Sequence, residues 1–305
     1  MASRQILQEA LKYQTNRFSM NLFKPWKSHF YVLLLHPADA KVLRQTNYDQ
    51  YGLPVVEVNQ HVQLFNVEVI KATVEQTLGF AFNVLHYARY QINKKQRQVQ
   101  GIYVLELLEP HPATQNVQVG TWCDRPTLEG LSFTNPSHQS IVENYLIELE
   151  NESTPPYRPA WARLGWFREV SAWIEAQLEI FGYQQISPIQ YVTSRSISCI
   201  LKVETTGGTL FFKEIPTCLP LFCNEPRVTQ ALARLFPQHL PTILSIDSQH
   251  HRMLTADFGK PLGNQASSKM RQEIHRLFAQ VQIQSIKHCD RLLNEYSSLF
   301  FAISH

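Results

Sequence analysis

The chain has 305 residues, a length that suits two domains of ordinary size, each with its own core. Hydrophobic residues make up 44% and charged residues 17% of the chain, a composition that excludes extended disorder. The first 150 residues carry 13 basic and 13 acidic side chains and the remainder carry 15 and 12, so neither half is a polycation and we expect no nucleic-acid partner.

The five cysteines are scattered without a Cys-x-x-Cys pair, which indicates reduced thiols and neither a zinc site nor a disulfide framework. The first 20 residues are polar and helical in pattern, unlike a secretory signal. The longest apolar runs, such as Tyr31–Leu35, fall far short of the roughly 20 residues that cross a bilayer. We therefore expect a cytoplasmic protein without a membrane partner.

The first half of the chain mixes strand and helix patterns, which predicts an α+β or α/β domain. The predicted strands are His29–Leu35, Val62–Phe65 and Gly101–Leu108, and the predicted helices are Val67–Gln91 and Gln139–Glu150.

Residues 151–160 are predicted to form a linker. From Asn151 to Pro159 the chain reads Asn-Glu-Ser-Thr-Pro-Pro-Tyr-Arg-Pro, which combines polar residues with prolines that break helices. The chain is therefore predicted to divide into one domain over residues 1–150 and a second over residues 161–305.

The second domain is predicted to open with a tryptophan-bearing helix, Gly165–Phe181, whose apolar residues recur at helical spacing. Trp161, Trp166 and Trp173 could stack on a sugar or a base, but their pattern favours packing between the domains. The elements predicted after it are strands at Ile186–Val192, Ser198–Glu204 and Thr209–Ile215, a helix at Asn224–Leu235, strands at Thr242–Ile246 and Arg252–Ala256, and a helical tail at Ser267–Phe301.

Two charged residues in this domain suit nucleotide chemistry. Lys213 ends a predicted strand, and Glu225 opens the next predicted helix. A lysine on such a strand can reach the α- and β-phosphates of ATP, while a carboxylate from the helix holds the ammonium in place. The spacing alone leaves a second interpretation open, in which the lysine is a solvated charge and the glutamate interacts with the helix dipole.

Residues 157–290 resemble the small lobe and the first large-lobe helix of aminoglycoside phosphotransferase-like kinases. The matching stretches are Tyr157-Arg-Pro-Ala-Trp161, Gly165-Trp-Phe-Arg-Glu169, Ile197-Ser-Cys-Ile-Leu-Lys-Val203, Gly208-Thr-Leu-Phe-Phe-Lys213, Phe222-Cys-Asn-Glu225 and Met253-Leu-Thr-Ala-Asp-Phe-Gly259. The resemblance implies a kinase-like N-lobe, an antiparallel sheet plus a helix, followed by a partial helical C-lobe. It also implies an ATP site, and the residues it assigns to ATP are Lys213, Glu225, Ser194, Ser196, Ser198, Thr255 and Asp257.

This chain departs from the kinase pattern in its catalytic motifs. The phosphate loop, residues 193–198, has no glycine, although the protein-kinase loop is Gly-rich. Asp257-Phe-Gly259 imitates the magnesium motif, but it precedes His288-Cys-Asp290, which imitates the catalytic loop, and no Asp follows Asp290. We assign Asp257 to a hinge strand and His288–Asp290 to a helix surface. The chain is predicted to stop partway through the kinase fold, with no catalytic residue and no ligands to hold Mg²⁺ by itself.

Residues 28–150 resemble a Nudix domain, which implies an α/β/α sandwich. The matching stretches are His29–Leu35, Leu78-Gly79-Phe80, Tyr103–Leu107, Gly120-Thr-Trp-Cys123 and Leu128-Glu-Gly-Leu131. The Nudix box clusters glutamates on one helix to hold Mg²⁺. The matching positions here hold Ala72, Thr73, Gln76 and Thr77. The metal-binding box is therefore lacking, and residual hydrolysis would require Glu57, Glu68 and Glu75 to converge.

These patterns and resemblances together predict an α+β protein of two domains, a Nudix-like domain followed by a truncated kinase domain. The predicted function is that of a truncated, ATP-dependent phosphotransferase acting on a small-molecule hydroxyl and inactive alone. Its expected partners are a second copy of the chain or a separately encoded C-lobe. Two alternatives stay open: a non-catalytic regulatory module that binds a nucleotide or a partner, and a residual Nudix-type hydrolase.

Overall fold

The structure is a computed structural model that describes residues 25–45, 50–62, 67–79, 81–108, 120–217, 224–260 and 266–297. It is a mixed α+β protein that separates into two compact units, residues 1–150 and 151–305. Among the described residues, no helix combines the length and the apolar character needed to cross a membrane. The helical pattern of the first 20 residues and the predicted element ends at 63–65 and 298–301 lie outside the described residues.

The first unit combines a mixed sheet with helices. Its strands are β1 (Lys27–Leu35), β2 (Val42–Gln45), β3 (Gln50–Tyr51), β4 (Val55–Val58), β5 (Phe82–Asn93), β6 (Gln98–Leu107), β7 (Gly120–Cys123) and β8 (Ser132–Phe133). Its α-helices are α1 (Val67–Leu78), α2 (Arg125–Glu129) and α3 (Pro136–Glu150).

Strand β1 is the centre of the first unit. The strand order of the main sheet is β5-β6-β1-β2-β7, and β4 also pairs with β1. Strand β1 runs parallel to β6 and antiparallel to β2 and β4. Its run from Val32 to Leu35 is completely buried because neighbouring strands and packed side chains surround it.

Helix α1 is shorter than predicted. It ends at Leu78, and Gly79 follows with φ of 77°, a left-handed conformation that a residue without Cβ adopts at little cost. Residues 82–91, predicted to be helical, instead belong to strand β5, where buried or half-buried positions alternate with exposed ones after residue 85. The prediction of one helix over Val67–Gln91 is therefore wrong in its second half.

The second unit contains a five-stranded antiparallel sheet with the strand order β12-β13-β11-β10-β9. Its strands are β9 (Gln190–Arg195), β10 (Ser198–Thr205), β11 (Gly208–Glu214), β12 (Ile243–Asp247) and β13 (Arg252–Ala256). Its α-helices are α4 (Trp166–Phe181), α5 (Glu225–Leu235), α6 (Ser268–Ser285) and α7 (Cys289–Ser297). The first strand was predicted four residues too early, at Ile186–Val192.

Helix α4 packs onto its own sheet. Its buried residues, which recur at one-turn spacing, are Trp166, Val170, Ile174 and Leu178. The rings of Trp166 and Trp173 lie 6.2 Å and 5.8 Å from the ring of Phe212 on β11. These contacts are inside the second unit, where the apolar stripe of α4 covers the apolar face of its own sheet.

Helix α6 differs from α4 because it has no buried residue. Its exposed large apolar side chains are Met270, Ile274, Phe278 and Ile283. An amphipathic helix normally buries its apolar stripe, so this helix leaves apolar surface uncovered.

Candidate functional site

The second unit brings Lys213 and Glu225 together. Lys213 lies near the end of β11, and Glu225 is the first residue of α5. Their side chains form an ion pair between Nζ and Oε1. Pro226 suits the first turn of α5 because a backbone N–H at this position has no partner within the helix. The lysine and glutamate side chains are 27% and 30% exposed, so the ammonium stays within reach of a ligand.

The sheet register shows which candidate residues share a face with Lys213. Lys213 is opposite Ile200 on β10 and opposite Met253 on β13. Because side chains alternate along a strand, Ser198 and Thr255, each two residues from these partners, lie on the same face. The hydroxyl of Thr255 is turned to a backbone carbonyl oxygen of β11, to which it donates at 3.4 Å.

Ser194 and Ser196 are placed differently from Ser198. Ser194 is opposite Cys199, on the other face of the sheet from Lys213, and its hydroxyl interacts with the Cys199 thiol. Burial raises the pKa of that thiol. Ser196 is exposed in the turn between β9 and β10. The pleat therefore separates serines that stand close together in the sequence.

The two motifs that imitate catalytic loops are both at the surface. Asp257 follows β13 directly, and its carboxylate accepts a hydrogen bond from the backbone N–H of Gly259 at 2.9 Å. Its own backbone N–H donates to the carbonyl of Thr209 at 3.1 Å, so Asp257 stabilises the turn after the strand. His288 ends a short 3-10 turn and Asp290 lies in the first turn of α7, both exposed.

The face of the sheet opposite Lys213 carries a buried carboxylate that no motif indicated. Glu214 is 2% exposed, and the indole N–H of Trp166 donates to both of its carboxylate oxygens at 3.1 Å. Burial raises the pKa of Glu214 to about 7, against the lowering effects of the Trp166 hydrogen bond and of Arg252. The alternation of side chains along β11 could have indicated its burial, because Glu214 follows the buried Leu210 and Phe212 at two-residue spacing.

Arg252 lies beside Glu214 on the neighbouring strand and is 4% exposed. Its guanidinium donates to Oε1 of Glu169 at 2.9 Å and to Oδ2 of Asp247 at 3.1 Å. Its Cζ also lies 5.0 Å from the centre of the Trp173 ring. The buried guanidinium is therefore paired on two sides, as a buried charge must be.

Helix α1 of the first unit carries the positions that match the Nudix box. The hydroxyls of Thr73 and Thr77 donate to backbone carbonyls four residues earlier, at 2.6 Å and 2.8 Å. The carboxylate of Glu75 accepts a hydrogen bond from the backbone N–H of Phe82 at 3.0 Å and lies 3.7 Å from the ammonium of Lys71. Glu75 thus connects α1 to β5.

The other two glutamates of the hydrolase alternative do not join Glu75. Glu57 lies 3.1 Å from a ring nitrogen of His29, and Glu68 lies in the first turn of α1. Across the described ranges, no group of three or more His, Cys, Asp or Glu side chains is arranged to hold a metal ion. Glu57, Glu68 and Glu75 all belong to those ranges, so they do not form the required cluster.

Replacing Glu75 with alanine is expected to lower the free energy of unfolding by about 1–2 kcal/mol, because the N–H of buried Phe82 loses its acceptor. Glu75→Gln keeps an acceptor oxygen and should stay within about 0.5 kcal/mol of the wild type. Urea denaturation measures both variants. Equal losses would show that the charge beside Lys71, and not the hydrogen bond, is what stabilises this junction.

Comparison with known proteins adds little to this geometry. No family model matches the chain, and no curated protein matches it. A solved structure of a "putative oxidoreductase" from Sinorhizobium meliloti 1021 is similar over 42% of this chain and 41% of that one, with 14% sequence identity and a TM-score of 0.32. The aligned parts are thus less than half of each chain, and a likeness of this size carries no conclusion about fold or function.

Proposed function

We propose that the second unit is the nucleotide-binding lobe of a small-molecule phosphotransferase. The observation that carries this proposal is the ion pair between Lys213 on β11 and Glu225 in the first turn of α5. In phosphoryl-transfer enzymes of the kinase type, such a pair holds an ammonium against the α- and β-phosphates. The order of three antiparallel strands, a helix and two further strands supports the same assignment.

The pair leaves part of the lysine side chain open to a ligand. The Lys213 and Glu225 side chains are 27% and 30% exposed, so the protein covers the ammonium only in part. A second cation, Lys202, belongs to the same sheet face and is paired with Glu204.

ATP, when bound, would supply the phosphoryl group that such enzymes transfer to a hydroxyl. Lys213 would contact its phosphates, and Ser198 and Thr255 share the face on which it would lie. Ser194 belongs to the other face and has no place in this arrangement. We assign nucleotide binding to Lys213, Ser198 and Thr255. Asp257 stabilises the turn after β13 and Asp290 lies in the first turn of α7, so we assign neither of them a role in phosphoryl transfer.

The first unit is, in the same proposal, a Nudix-like α/β/α shell that does not hydrolyse diphosphates. The engagement of Glu75 with the start of β5 supports this view, because that carboxylate is occupied in joining two elements. A second copy of the chain or a separately encoded C-lobe remains the proposed partner. The uncovered apolar side chains of α6 support a partner of this kind.

Lys213→Ala is expected to weaken the binding of a fluorescent ATP analogue about tenfold or more, the value of one charge-assisted hydrogen bond. Fluorescence anisotropy on the full chain measures the dissociation constant. The matched control is Lys202→Ala, a lysine with 35% exposure and its own carboxylate partner on the same face. It should change the dissociation constant less than about threefold, as expected for a screened surface charge.

Two results would overturn this assignment. The first is failure of the wild-type chain, shown to be folded by circular dichroism, to bind the analogue at any accessible concentration. Alternatively, both lysine variants could weaken binding equally, which would show non-specific attraction of an anion to a basic face.

A further inference from the structure

Strand β11 connects the candidate nucleotide site to a buried network through two adjacent residues. Lys213 lies on one face of the sheet and Glu214 on the other, because successive side chains of a strand point to opposite faces. The two residues share one peptide unit, so a shift of the strand end moves both. Lys213 contacts Glu225, while Glu214 is held by the indole N–H of Trp166.

Every element packed around Glu214 contributes an ionisable or polar group. Helix α4 contributes the Trp166 N–H and the carboxylate of Glu169, and β13 contributes Arg252. His250 from the turn before β13 acts on the same carboxylate, and the buried thiol of Cys199 is opposite it on β10. Of the groups just named, Arg252 carries a fixed positive charge, and it is shared with Glu169 and Asp247.

A carboxylate at position 214 loses its hydration when the chain folds, which costs free energy. The neighbouring buried positions of the same face on β11 are Leu210 and Phe212, so an apolar side chain would pack there without desolvation of a charge. Packing alone therefore does not account for Glu214. What the carboxylate adds is a directional contact: both oxygens receive one N–H at 3.1 Å, which fixes the end of β11 relative to α4.

We propose that Glu214 is a positioning residue that, through its hydrogen bond with Trp166, sets the alignment of Lys213 with Glu225. The nucleotide aspect of this role rests on the proposed function; the mechanical coupling across β11 does not. When the Trp166–Glu214 contact is lost, the end of β11 gains freedom and the ammonium of Lys213 spends less time paired. Small displacements of a positioned cation weaken its contact with a ligand.

The test uses Trp166→Phe, which removes the N–H but keeps an aromatic ring, and Glu214→Gln, which removes the charge but keeps an acceptor. The matched control is Trp173→Phe, because Trp173 lies on the same helix and contacts Phe212 and Arg252. The first measurement is the rate at which an amine-reactive reagent modifies Lys213 in the full chain, relative to Lys202, followed by mass spectrometry between pH 6 and 9. The second is the dissociation constant of the ATP analogue.

Trp166→Phe should raise the relative modification rate of Lys213 and the dissociation constant about three- to tenfold, the effect of one lost hydrogen bond. Glu214→Gln should reduce the change with pH in the modification rate of Lys213 relative to Lys202, because residue 214 no longer ionises. Trp173→Phe should leave both measurements within about twofold of the wild type. The Glu214→Gln variant keeps the proposal testable if Trp166→Phe does not fold.

The outcomes separate this inference from the proposed function. In one outcome, Trp166→Phe and Glu214→Gln change the modification rate of Lys213 as expected, but the wild type binds no nucleotide. That outcome would support the positioning role of Glu214 and reject the nucleotide site. Nucleotide binding that depends on Lys213, together with an unchanged ratio of Lys213 to Lys202 modification in both Trp166→Phe and Glu214→Gln, would overturn the positioning role. An equal effect of Trp173→Phe would also overturn it, since general loosening of α4 would then explain the data.

Discussion

Replacing Phe212 with alanine is expected to lower the free energy of unfolding of the second unit by about 3–5 kcal/mol. Phe212 is fully buried and lies under the rings of Trp166 and Trp173. The variant loses the transfer free energy of the ring and leaves a cavity that the two bulky indoles cannot easily fill. Urea unfolding of the full chain, followed by tryptophan fluorescence, measures the loss.

Phe211→Ala is the matched control for that experiment. Phe211 is the preceding residue on β11, points to the opposite face and is only partly covered. It should cost clearly less, about 1–2 kcal/mol, because part of its area is already solvated. Equal losses for Phe211 and Phe212 would contradict the assignment of the main core to the face covered by α4.

The stability of the second unit is expected to contain a component from Glu214 that falls as pH rises from about 4.5 to about 7. Below about 4.5 the carboxyl group is protonated in both the folded and the unfolded chain. As pH rises, the unfolded chain releases this proton first, whereas burial holds it in the folded chain, so unfolding becomes easier. Above about 7 both forms are ionised and the loss is complete. The free energy of unfolding lost over this interval is about 3 kcal/mol, at 1.36 kcal/mol per pH unit.

Glu214→Gln isolates this component because it removes the ionisation and keeps an acceptor for the indole N–H. The stability of the variant relative to the wild type should rise by about 3 kcal/mol between pH 4.5 and 8. Glu204→Gln is the control, since hydrogen bonding from Lys202 lowers the pKa of Glu204 and its effect has the opposite sign. A stability difference between Glu214→Gln and the wild type that does not change with pH would contradict the burial of an ionisable group at this position.

The resemblance to the phosphotransferases implied the pairing of Lys213 with Glu225, two residues that are twelve positions apart. The spacing by itself left open a solvated lysine and a glutamate that interacts with the helix dipole. The contacts of Glu214 were not predictable in this way. Trp166 is 48 residues away, and the Arg252–Glu169 contact beside it spans 83 residues. No local pattern indicates which distant charges meet.

Helix α1 also shows that local sequence patterns do not determine where every element ends. The helical pattern from Val67 onward was correctly recognised, but its end was placed 13 residues too late, at Gln91 instead of Leu78. The left-handed Gly79 ends the helix, and the pairing of β5 with β6 then determines the conformation of residues 82–91. Residues such as His86 and Tyr87 have no strong helix preference, so pairing with another strand decides their structure.

The sequence by itself determined the mixed α+β character and the order of most elements. These features depend on residues within a few positions of one another, where periodicity and turn chemistry act. Only the tertiary structure decided that Ser194 and Lys213 lie on opposite faces, that the tryptophans of α4 cover their own sheet, and that Glu214 is buried beside Arg252. The reason is strand register: a shift of one residue exchanges the two faces of a strand, and register depends on pairing between distant segments.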